Sequence, residues 1–265
     1  MKINPGNNSR ETQLAALNRL LDIMDDLRKQ CPWDKKQTLE SLRQLTIEET
    51  YELGDAILDN NLGEIRKELG DLLLHIVFYA KIGSEKGSFD IGDVAHAISE
   101  KLIIRHPHIY GDVKVKNAEE VKQNWEQIKL KEGKKSVLEG VPKSLPALVK
   151  ATRLQEKVAG VGFEWENMEQ VWDKVEEELQ EFQIEVNKGD QKRMESEFGD
   201  VLFALINYAR FNHISPENAL ENTNKKFIKR FQFMEKSIAE AGKQMQNLPL
   251  DTLEKYWVKA KQIYR

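Results

Sequence analysis

The sequence predicts an all-α protein built from tandem-duplicated helical bundles. Apolar residues recur at helical spacing along most of the chain, whereas alternating Val, Ile and Thr runs bounded by hairpin turns are nearly absent. The seven prolines lie mostly between the helical segments. The spacing predicts helices at about residues 11–30, 38–60, 62–84, 91–104, 117–131, 145–158, 168–188, 190–212, 216–240 and 251–264.

An acidic pattern that occurs twice indicates the duplication. The first copy has the motif EExxE at Glu48–Glu52 and the motif ExxD at Glu68–Asp71. The second copy has the same motifs at Glu177–Glu181 and Glu197–Asp200. In both copies, sixteen positions separate the last glutamate of EExxE from the first of ExxD. This equal spacing predicts a tandem repeat.

Further matches follow the acids in the same order. An apolar segment comes next in each copy. A Lys/Arg pair follows, which is Lys101/Arg105 in the first copy and Lys226/Arg230 in the second. A Trp/Lys pair comes last, which is Trp125/Lys129 in the first copy and Trp257/Lys261 in the second. Glycines, prolines and a Lys-Lys pair at residues 133–146 are typical of a linker. We therefore predict an N-terminal domain at 1–132, a linker at 133–145 and a C-terminal domain at 146–265.

The apolar segments at 72–80 and 201–209 need partners. Each reads as a helix that is apolar on nearly every side, so it belongs inside a bundle or at an interface. A hairpin of two acidic helices cannot bury such a segment alone. The sequence thus predicts a homodimer of intertwined bundles with four-helix cores.

Bulk properties exclude several classes of protein. A net charge of −4 argues against a broad nucleic-acid footprint, and we expect no stable nucleic-acid partner. No segment approaches the roughly eighteen apolar residues of a membrane span, and residues 1–10 lack a signal-peptide core. Cys31 is the single cysteine, which rules out an intrachain disulfide and favours a cytoplasmic location.

The duplicated acids predict a metal site. Carboxylates three positions apart share one face of a helix, and two such helices folded back on each other bring four or five together. This much negative charge repels itself unless cations neutralise it. Ligands that are all oxygens suit a hard divalent ion, which points to Mg²⁺ and allows Mn²⁺.

Basic residues beside the acids indicate a polyphosphate ligand. In the second half, Lys174 shares a helical stripe with Glu177, Glu178 and Glu181, and Arg193 precedes Glu197 by one turn. Lys226 and Arg230 lie one turn apart and add phosphate donors. The Trp257 ring stacks on a base in one interpretation and anchors the core in the other.

The first half lacks two of these cations. Leu45 stands at the position of Lys174, and Glu64 stands at that of Arg193. We therefore predict that the second half is the more competent catalytic site. The first half is then a weak, regulatory or structural site, although nearby Arg43, Arg66 and Lys67 could compensate for the missing cations.

Five phrases carry a resemblance to a known family: Cys31-Pro32-Trp33-Asp34, Arg105-His106-Pro107-His108, Trp125-Glu126-Gln127-Ile128-Lys129, Val161-Gly162-Phe163, and Glu197-x-Gly199-Asp200-Val201-Leu202-Phe203. Together with the duplicated acids, they resemble the two-domain bacterial members of the MazG family of all-α nucleoside triphosphate pyrophosphohydrolases. The likeness covers nearly the whole chain after about residue 11. It implies Mg²⁺-dependent hydrolysis of NTPs and dNTPs to the monophosphate and pyrophosphate by a homodimer.

The resemblance also implies roles for residues. Those that match the family's metal positions are Glu178, Glu181, Glu197 and Asp200, and in the first half Glu49, Glu52, Glu68 and Asp71. Those that would surround the nucleotide are Lys174, Arg193, Lys226, Arg230 and Trp257. We expect a metal-activated water to attack the α-phosphorus, with Lys226 and Arg230 assisting and Glu177 or Glu178 taking the proton.

Three other functions are weighed against this one. A non-catalytic nucleotide-sensing or helical interaction protein would keep the phosphate-binding cations without activating water. A narrower pyrophosphatase for dUTP, dCTP or a damaged nucleotide would share the chemistry. A di-iron or di-manganese oxidase is disfavoured because its Glu-x-x-His motifs are missing, and His75 is therefore interpreted as a core or interface histidine.

Overall fold

A computed structural model describes residues 6, 8–117, 120, 121, 124, 125, 128 and 136–264. Every regular element in these residues is a helix, which confirms the predicted all-α class. The contacts divide the chain into an N-terminal unit, Met1–Lys114, and a C-terminal unit, Val115–Arg265. The first acidic copy lies in the N-terminal unit and the second in the C-terminal unit. The domain limits at 132 and 146 stay predictions.

The described helices follow the predicted ones closely. The N-terminal unit contains α1 (Arg10–Gln30), α2 (Leu39–Leu58), α3 (Leu62–Glu85), α4 (Ile91–Arg105) and the single turn α5 (Pro107–Tyr110). The C-terminal unit contains α6 (Ala147–Ala159), α7 (Met168–Lys188), α8 (Gln191–Phe211), α9 (Pro216–Glu240) and α10 (Leu250–Ile263). The predicted helix at 117–131 lies mostly outside the described residues, and so do Lys129 and residues 133–135 of the predicted linker.

Tight turns fold the acidic helices back on each other. Between α2 and α3, Asn60 takes a positive φ of 50° and the Asn61 side chain accepts hydrogen bonds from the first backbone N–H groups of α3. Between α7 and α8, Gly189 takes a φ of 73° and Asp190 caps α8 by accepting from the Arg193 backbone N–H. Such a cap stabilises a helix start by about 1 kcal/mol. These short connections hold the two acidic motifs of each copy opposite each other.

The core of the N-terminal unit lies between its first three helices. Met24 from α1, Leu42 from α2, and Val77, Phe78 and Ile82 from α3 form one cluster of buried side chains. Each of these five is at most 4% exposed. Their burial fixes the α2–α3 hairpin against α1, so the acids of that hairpin stay in place.

The core of the C-terminal unit has two parts. Val171 and Val175 on α7 and Val201 and Ile206 on α8 are buried, and the two helices pack against each other. Helices α9 and α10 pack together in turn, and their buried residues are Met234, Ile238 and Ala260. Helix α6 packs against α8 and α9, so it lies beside the acidic hairpin.

The two apolar segments are only partly covered within their own units. Ile76 is 48% exposed in the first segment, while Leu202 and Phe203 are 41% and 44% exposed in the second. The neighbouring helices of the same unit cover only part of the circumference of α3 and α8, which leaves these side chains open. The predicted intertwined dimer, which would cover these residues, stays a prediction. None of the helices in the described part of the chain combines the length and apolar composition that a membrane span requires.

We expect Met24→Ala to lower the free energy of unfolding by ~2–5 kcal/mol, because it leaves a cavity in the α1–α3 core. Urea denaturation at one fixed protein concentration measures this change. Leu14→Ala on the same helix is the matched control, since Leu14 is 57% exposed and its loss should change stability by at most ~0.5 kcal/mol. Equal effects of the two substitutions would contradict the described core.

Candidate metal centre

Three carboxylates of the C-terminal unit converge between α7 and α8. Glu178, Glu197 and Asp200 each place one oxygen within 4.8 Å of the others, and we call them the second cluster. Glu178 is buried, Glu197 is half-buried and Asp200 is exposed. The cluster is thus anchored in the helix interface and open at one side, as an exchangeable cation and a ligand require.

The N-terminal unit repeats this arrangement at the equivalent positions. Glu49, Glu68 and Asp71 meet within the same distance between α2 and α3, and we call them the first cluster. Glu68 is only 3% exposed, and its Oε2 atom has no hydrogen-bond partner among the described residues. A buried carboxylate oxygen without a partner is costly. A bound cation would remove that cost, so these residues fit a divalent metal.

The fourth predicted ligand of each set stands apart. Glu52 and Glu181 are exposed and are not among the carboxylates that meet within 4.8 Å. Three residues along a helix turn a side chain by about 300° and advance it by about 4.5 Å, so Glu181 points slightly aside from Glu178. Both outlying acids still act on their clusters electrostatically, as the pKa values of the clustered carboxyl groups show.

The carboxylates within each cluster repel one another. Partial burial raises the pKa of Glu197, and the neighbouring Glu181, Asp200 and Glu178 raise it further. Burial and the charges of Asp71, Glu52 and Glu68 likewise raise the pKa of Glu49. Each cluster therefore favours the binding of a proton or a cation among its carboxylates.

Each cluster has a lysine, but the two lysines come from different positions. In the C-terminal unit, Lys174 Nζ lies 2.7 Å from Glu178 Oε1 and 3.0 Å from Glu177 Oε1, and these hydrogen bonds raise the pKa of Lys174 well above its ordinary value. In the N-terminal unit, Lys67 Nζ lies 2.8 Å from Glu68 Oε1. Lys67 therefore partly compensates for the positive charge that the first half lacks, since Leu45 stands at the position equivalent to Lys174.

Arg193 contacts carboxylates other than the predicted ones. Its guanidinium lies 3.6 Å from Asp190 and 4.0 Å from Glu185, and its side chain is 66% exposed. Sequence reasoning missed Glu185. This buried glutamate lies one turn after Glu181, bonds Lys188 at 2.6 Å and adds to the raised pKa of Glu197. Glu185 follows Glu178 by seven residues on the same face of α7, and this spacing is the sequence signal that could have identified it.

Arg230 on α9 and Trp257 on α10 lie close together, and neither these residues nor Lys226 belongs to the second cluster. Arg230 Nε donates to the carbonyl oxygen of Tyr264 at 2.9 Å, and its guanidinium carbon lies 5.9 Å from the Trp257 ring centre. The Trp257 ring packs 5.2 Å from that of Phe227 and is half-buried. Lys226 is exposed. This packing favours the anchoring interpretation of Trp257.

His75 lies on α3, one turn beyond Asp71, and is buried. Burial lowers the pKa of its imidazole, which keeps the ring neutral at pH 7. It is not among the residues of the first cluster. These findings agree with the interpretation of His75 as a core histidine.

A cavity of about 590 Å³ opens beside the second cluster. It lies between α6, α7, α8 and the loop that joins α6 to α7. Lys174, Glu178 and Asp200 form one part of its wall, and most of the remaining wall is apolar, with Leu154, Phe163, Trp165 and Phe203 among the lining residues. No pattern in the sequence indicated this cavity, because its wall is assembled from segments that lie far apart along the chain.

A family model matches the chain twice. The MazG nucleotide pyrophosphohydrolase domain matches residues 37–110 and 166–233, and each match contains one complete carboxylate cluster. The chain belongs to the MazG family. The predicted duplication is thereby confirmed as two MazG domains, and the resemblance read from the sequence is confirmed with it.

Two named relatives align with nearly the entire chain, and a third aligns with about half of it. A nucleoside triphosphate pyrophosphohydrolase of Escherichia coli K12 is 43% identical over 254 residues, which are 92% of this chain and 97% of that protein. A nucleoside triphosphate pyrophosphohydrolase/pyrophosphatase MazG of Thermotoga maritima is 44% identical over 247 residues, 91% of this chain and 94% of that protein. A nucleoside triphosphate pyrophosphohydrolase of Mycolicibacterium smegmatis is 39% identical over 153 residues, 54% of this chain and 47% of that protein.

We expect Glu197→Gln to stabilise the metal-free protein more at pH 8 than at pH 4. The raised pKa means that the folded state holds the Glu197 proton more tightly than the unfolded state does. That contribution is complete below the ordinary glutamate pKa of about 4.3 and is lost as the pH rises through the raised value. The neutral glutamine side chain removes the repulsion between ionised Glu197 and the neighbouring carboxylates at high pH.

Thermal unfolding in EDTA at both pH values measures this difference. Glu195→Gln is the matched control, because Glu195 is exposed on the same helix and outside the cluster. A shift in Tm that is equal at pH 4 and pH 8 would show that Glu197 is not electrostatically strained.

Proposed function

We propose that this MazG protein hydrolyses nucleoside triphosphates, both NTPs and dNTPs, to the monophosphate and pyrophosphate. The observation that carries the proposal is the second cluster, in which three carboxylates and Lys174 meet at the wall of a cavity of ligand size. The relatives of Escherichia coli K12 and Thermotoga maritima, whose alignments cover 92% and 91% of this chain, support the same reaction.

We propose Mg²⁺ as the metal, with Mn²⁺ as a substitute. The clustered side chains offer oxygen ligands alone, and such sets suit hard divalent ions. Glu178, Glu197 and Asp200 would hold it, with Glu181 as a further ligand on the same stripe. When bound, the cation neutralises charge on the phosphates and lowers the pKa of a water that attacks the α-phosphorus.

Lys174 acts as the first phosphate contact in this proposal. It neutralises Glu177 and Glu178 in the free protein. Once a cation takes that role for Glu178, the ammonium group is available for a phosphate oxygen, and its side chain, 36% exposed, can reach one. Arg193, Lys226 and Arg230 add positive charge for the rest of the triphosphate.

Glu177 is the proposed proton acceptor. Glu178 belongs to the metal-binding carboxylates, whereas the Glu177 side chain is 56% exposed and lies outside the cluster. A carboxylate that is not a metal ligand keeps a lone pair for the proton of the attacking water. Its hydrogen bond to Lys174 keeps it close to the cluster.

The first cluster is proposed as a metal-binding site with weak or no turnover. Lys67 pairs with its most buried carboxylate, and the residues that replace Lys174 and Arg193 are Leu45 and Glu64. A regulatory or nucleotide-sensing role fits this cluster better than catalysis does. We further propose a cytoplasmic homodimer, in which a second copy covers the exposed apolar residues of α3 and α8.

We expect Glu197→Ala to lower Mg²⁺-dependent pyrophosphate release from ATP on the order of 100-fold or more, since it removes a ligand from the catalytic cluster. Glu68→Ala makes the equivalent change in the first cluster and should leave most of the activity. Glu195→Ala controls for the loss of an exposed charge on α8. Steady-state assays with and without EDTA measure all three variants.

Two results would contradict the assignment. Near-wild-type activity of Glu197→Ala would remove the second cluster from the mechanism. A larger loss in Glu68→Ala than in Glu197→Ala would transfer catalysis to the first cluster. A cooperative thermal transition in EDTA, with a Tm no lower than that of the wild type, shows that a variant is folded before its rate is compared.

A further inference from the structure

We propose that Glu185 is a positioning residue, which holds the Arg193 guanidinium where it binds the terminal phosphates of a triphosphate. The inference rests on the proposed function, because it needs a triphosphate at the second cluster. It goes further in giving a role to a buried carboxylate outside that cluster, and in naming the end of the acidic hairpin at which the leaving pyrophosphate is held.

The fold itself does not require an acid at position 185. The tandem copy has Ala56 at the equivalent position, and Ala56 and Glu185 are both only 7% exposed. The hairpin therefore accepts a small apolar side chain at this buried place. A buried carboxylate costs free energy that an apolar side chain does not. Its presence in the second copy thus indicates a role other than folding.

The charged partners of Glu185 also differ between the two copies. Lys188 Nζ lies 2.6 Å from Glu185 Oε1, and Arg193 Nη1 lies 4.0 Å from the same oxygen. At the equivalent positions the first copy has Asp59 and Glu64. The acid and both of its cations are therefore replaced together, which is expected if the three residues act as one unit.

Two carboxylates orient Arg193 without a hydrogen bond from its guanidinium to either one. The guanidinium lies 4.0 Å from Glu185 and 3.6 Å from Asp190, and both distances exceed that of a hydrogen bond. The attraction therefore acts between charges, and the N–H groups stay able to bond phosphate oxygens. The side chain is 66% exposed, so a ligand can reach it.

Arg193 lies at the end of the acidic hairpin that is remote from Lys174. Glu178 and Glu185 share one face of α7, and seven residues separate them by about 10 Å along the helix axis. The mostly apolar cavity lies at the Lys174 end, where the organic part of a substrate fits better than its phosphates. The phosphates beyond the reacting one would then extend towards the turn, where Arg193 is exposed.

A double-mutant cycle on kcat/KM for ATP with Mg²⁺ tests the coupling. We expect Glu185→Gln to lower kcat/KM about fivefold and Arg193→Ala to lower it about tenfold or more. In the double variant, Glu185→Gln should add a loss of less than about twofold, because it acts through Arg193. Additive losses would overturn the proposal. Coupling of Glu185→Gln to Lys188→Ala instead of to Arg193→Ala would also overturn it.

The affinities for the two products distinguish positioning from a general structural role. Calorimetric titration with Mg²⁺ measures the Kd of pyrophosphate and of AMP, which lacks the terminal phosphates. Glu185→Gln should raise the Kd of pyrophosphate about fivefold and leave that of AMP within about twofold. Equal weakening of both products would show that the whole site is distorted, and would overturn the proposal.

Two further variants complete this comparison. Glu185→Ala introduces the residue of the tandem copy, where the fold accepts it, and should give the same pattern as Glu185→Gln. Glu195→Gln removes an exposed acid of α8 outside the second cluster and should leave both dissociation constants unchanged. A selective loss of pyrophosphate affinity in Glu195→Gln as large as that in Glu185→Gln would contradict the assignment to Glu185.

Failure of the proposed function gives a different result. In that case the wild-type protein releases no pyrophosphate from ATP. Calorimetric titration of inorganic tripolyphosphate with Mg²⁺ into the wild type, the two single variants and the double variant then decides the inference alone. Losses of affinity that do not add in the double variant support it. Additive losses, or equal affinities in all four proteins, overturn it.

Discussion

Mutual repulsion of carboxylates held face to face is the constraint on which this structure depends. Each acidic hairpin must keep three carboxylates within a few ångströms of one another, although their charges push them apart. Apolar contacts between the paired helices oppose this force, with Val175 and Val201 buried next to the second cluster. Short capped turns prevent the helices from sliding. The fold thus holds together carboxylates whose repulsion a divalent cation would relieve.

The two copies offset the repulsion between their clustered carboxylates in different ways. In the C-terminal unit, Lys174 reaches Glu178 along its own helix from one turn away, and Glu185 adds a buried charge beyond the cluster. In the N-terminal unit, Lys67 turns back onto the adjacent Glu68, and the position of Glu185 holds Ala56. The C-terminal unit therefore concentrates more charge around its cluster. This difference gives duplicated helices a physical reason to divide their functions.

The second cluster lies at a boundary between two environments. On one side it contacts Lys174, whose ammonium group suits a phosphate, and on the other it meets a mostly apolar cavity, which suits an organic ligand. A nucleoside triphosphate has the same division of polarity along its length. Helix α6 and the following loop create the apolar side. The acidic hairpin alone would therefore bind a metal without selecting an organic ligand.

The sequence by itself determined the helices, the duplication and the composition of the two clusters. Helical spacing fixes the direction of a side chain from its helix, so the convergence of Glu178, Glu197 and Asp200 could be predicted from their positions. Spacing does not fix how far a long flexible side chain reaches, and the contact between Lys67 and Glu68 depended on the local packing. Nor does it describe the space between helices: Gln155, Phe163 and Phe203 meet only because α6 packs on α8. The cavity beside the second cluster is therefore a property of the tertiary structure alone.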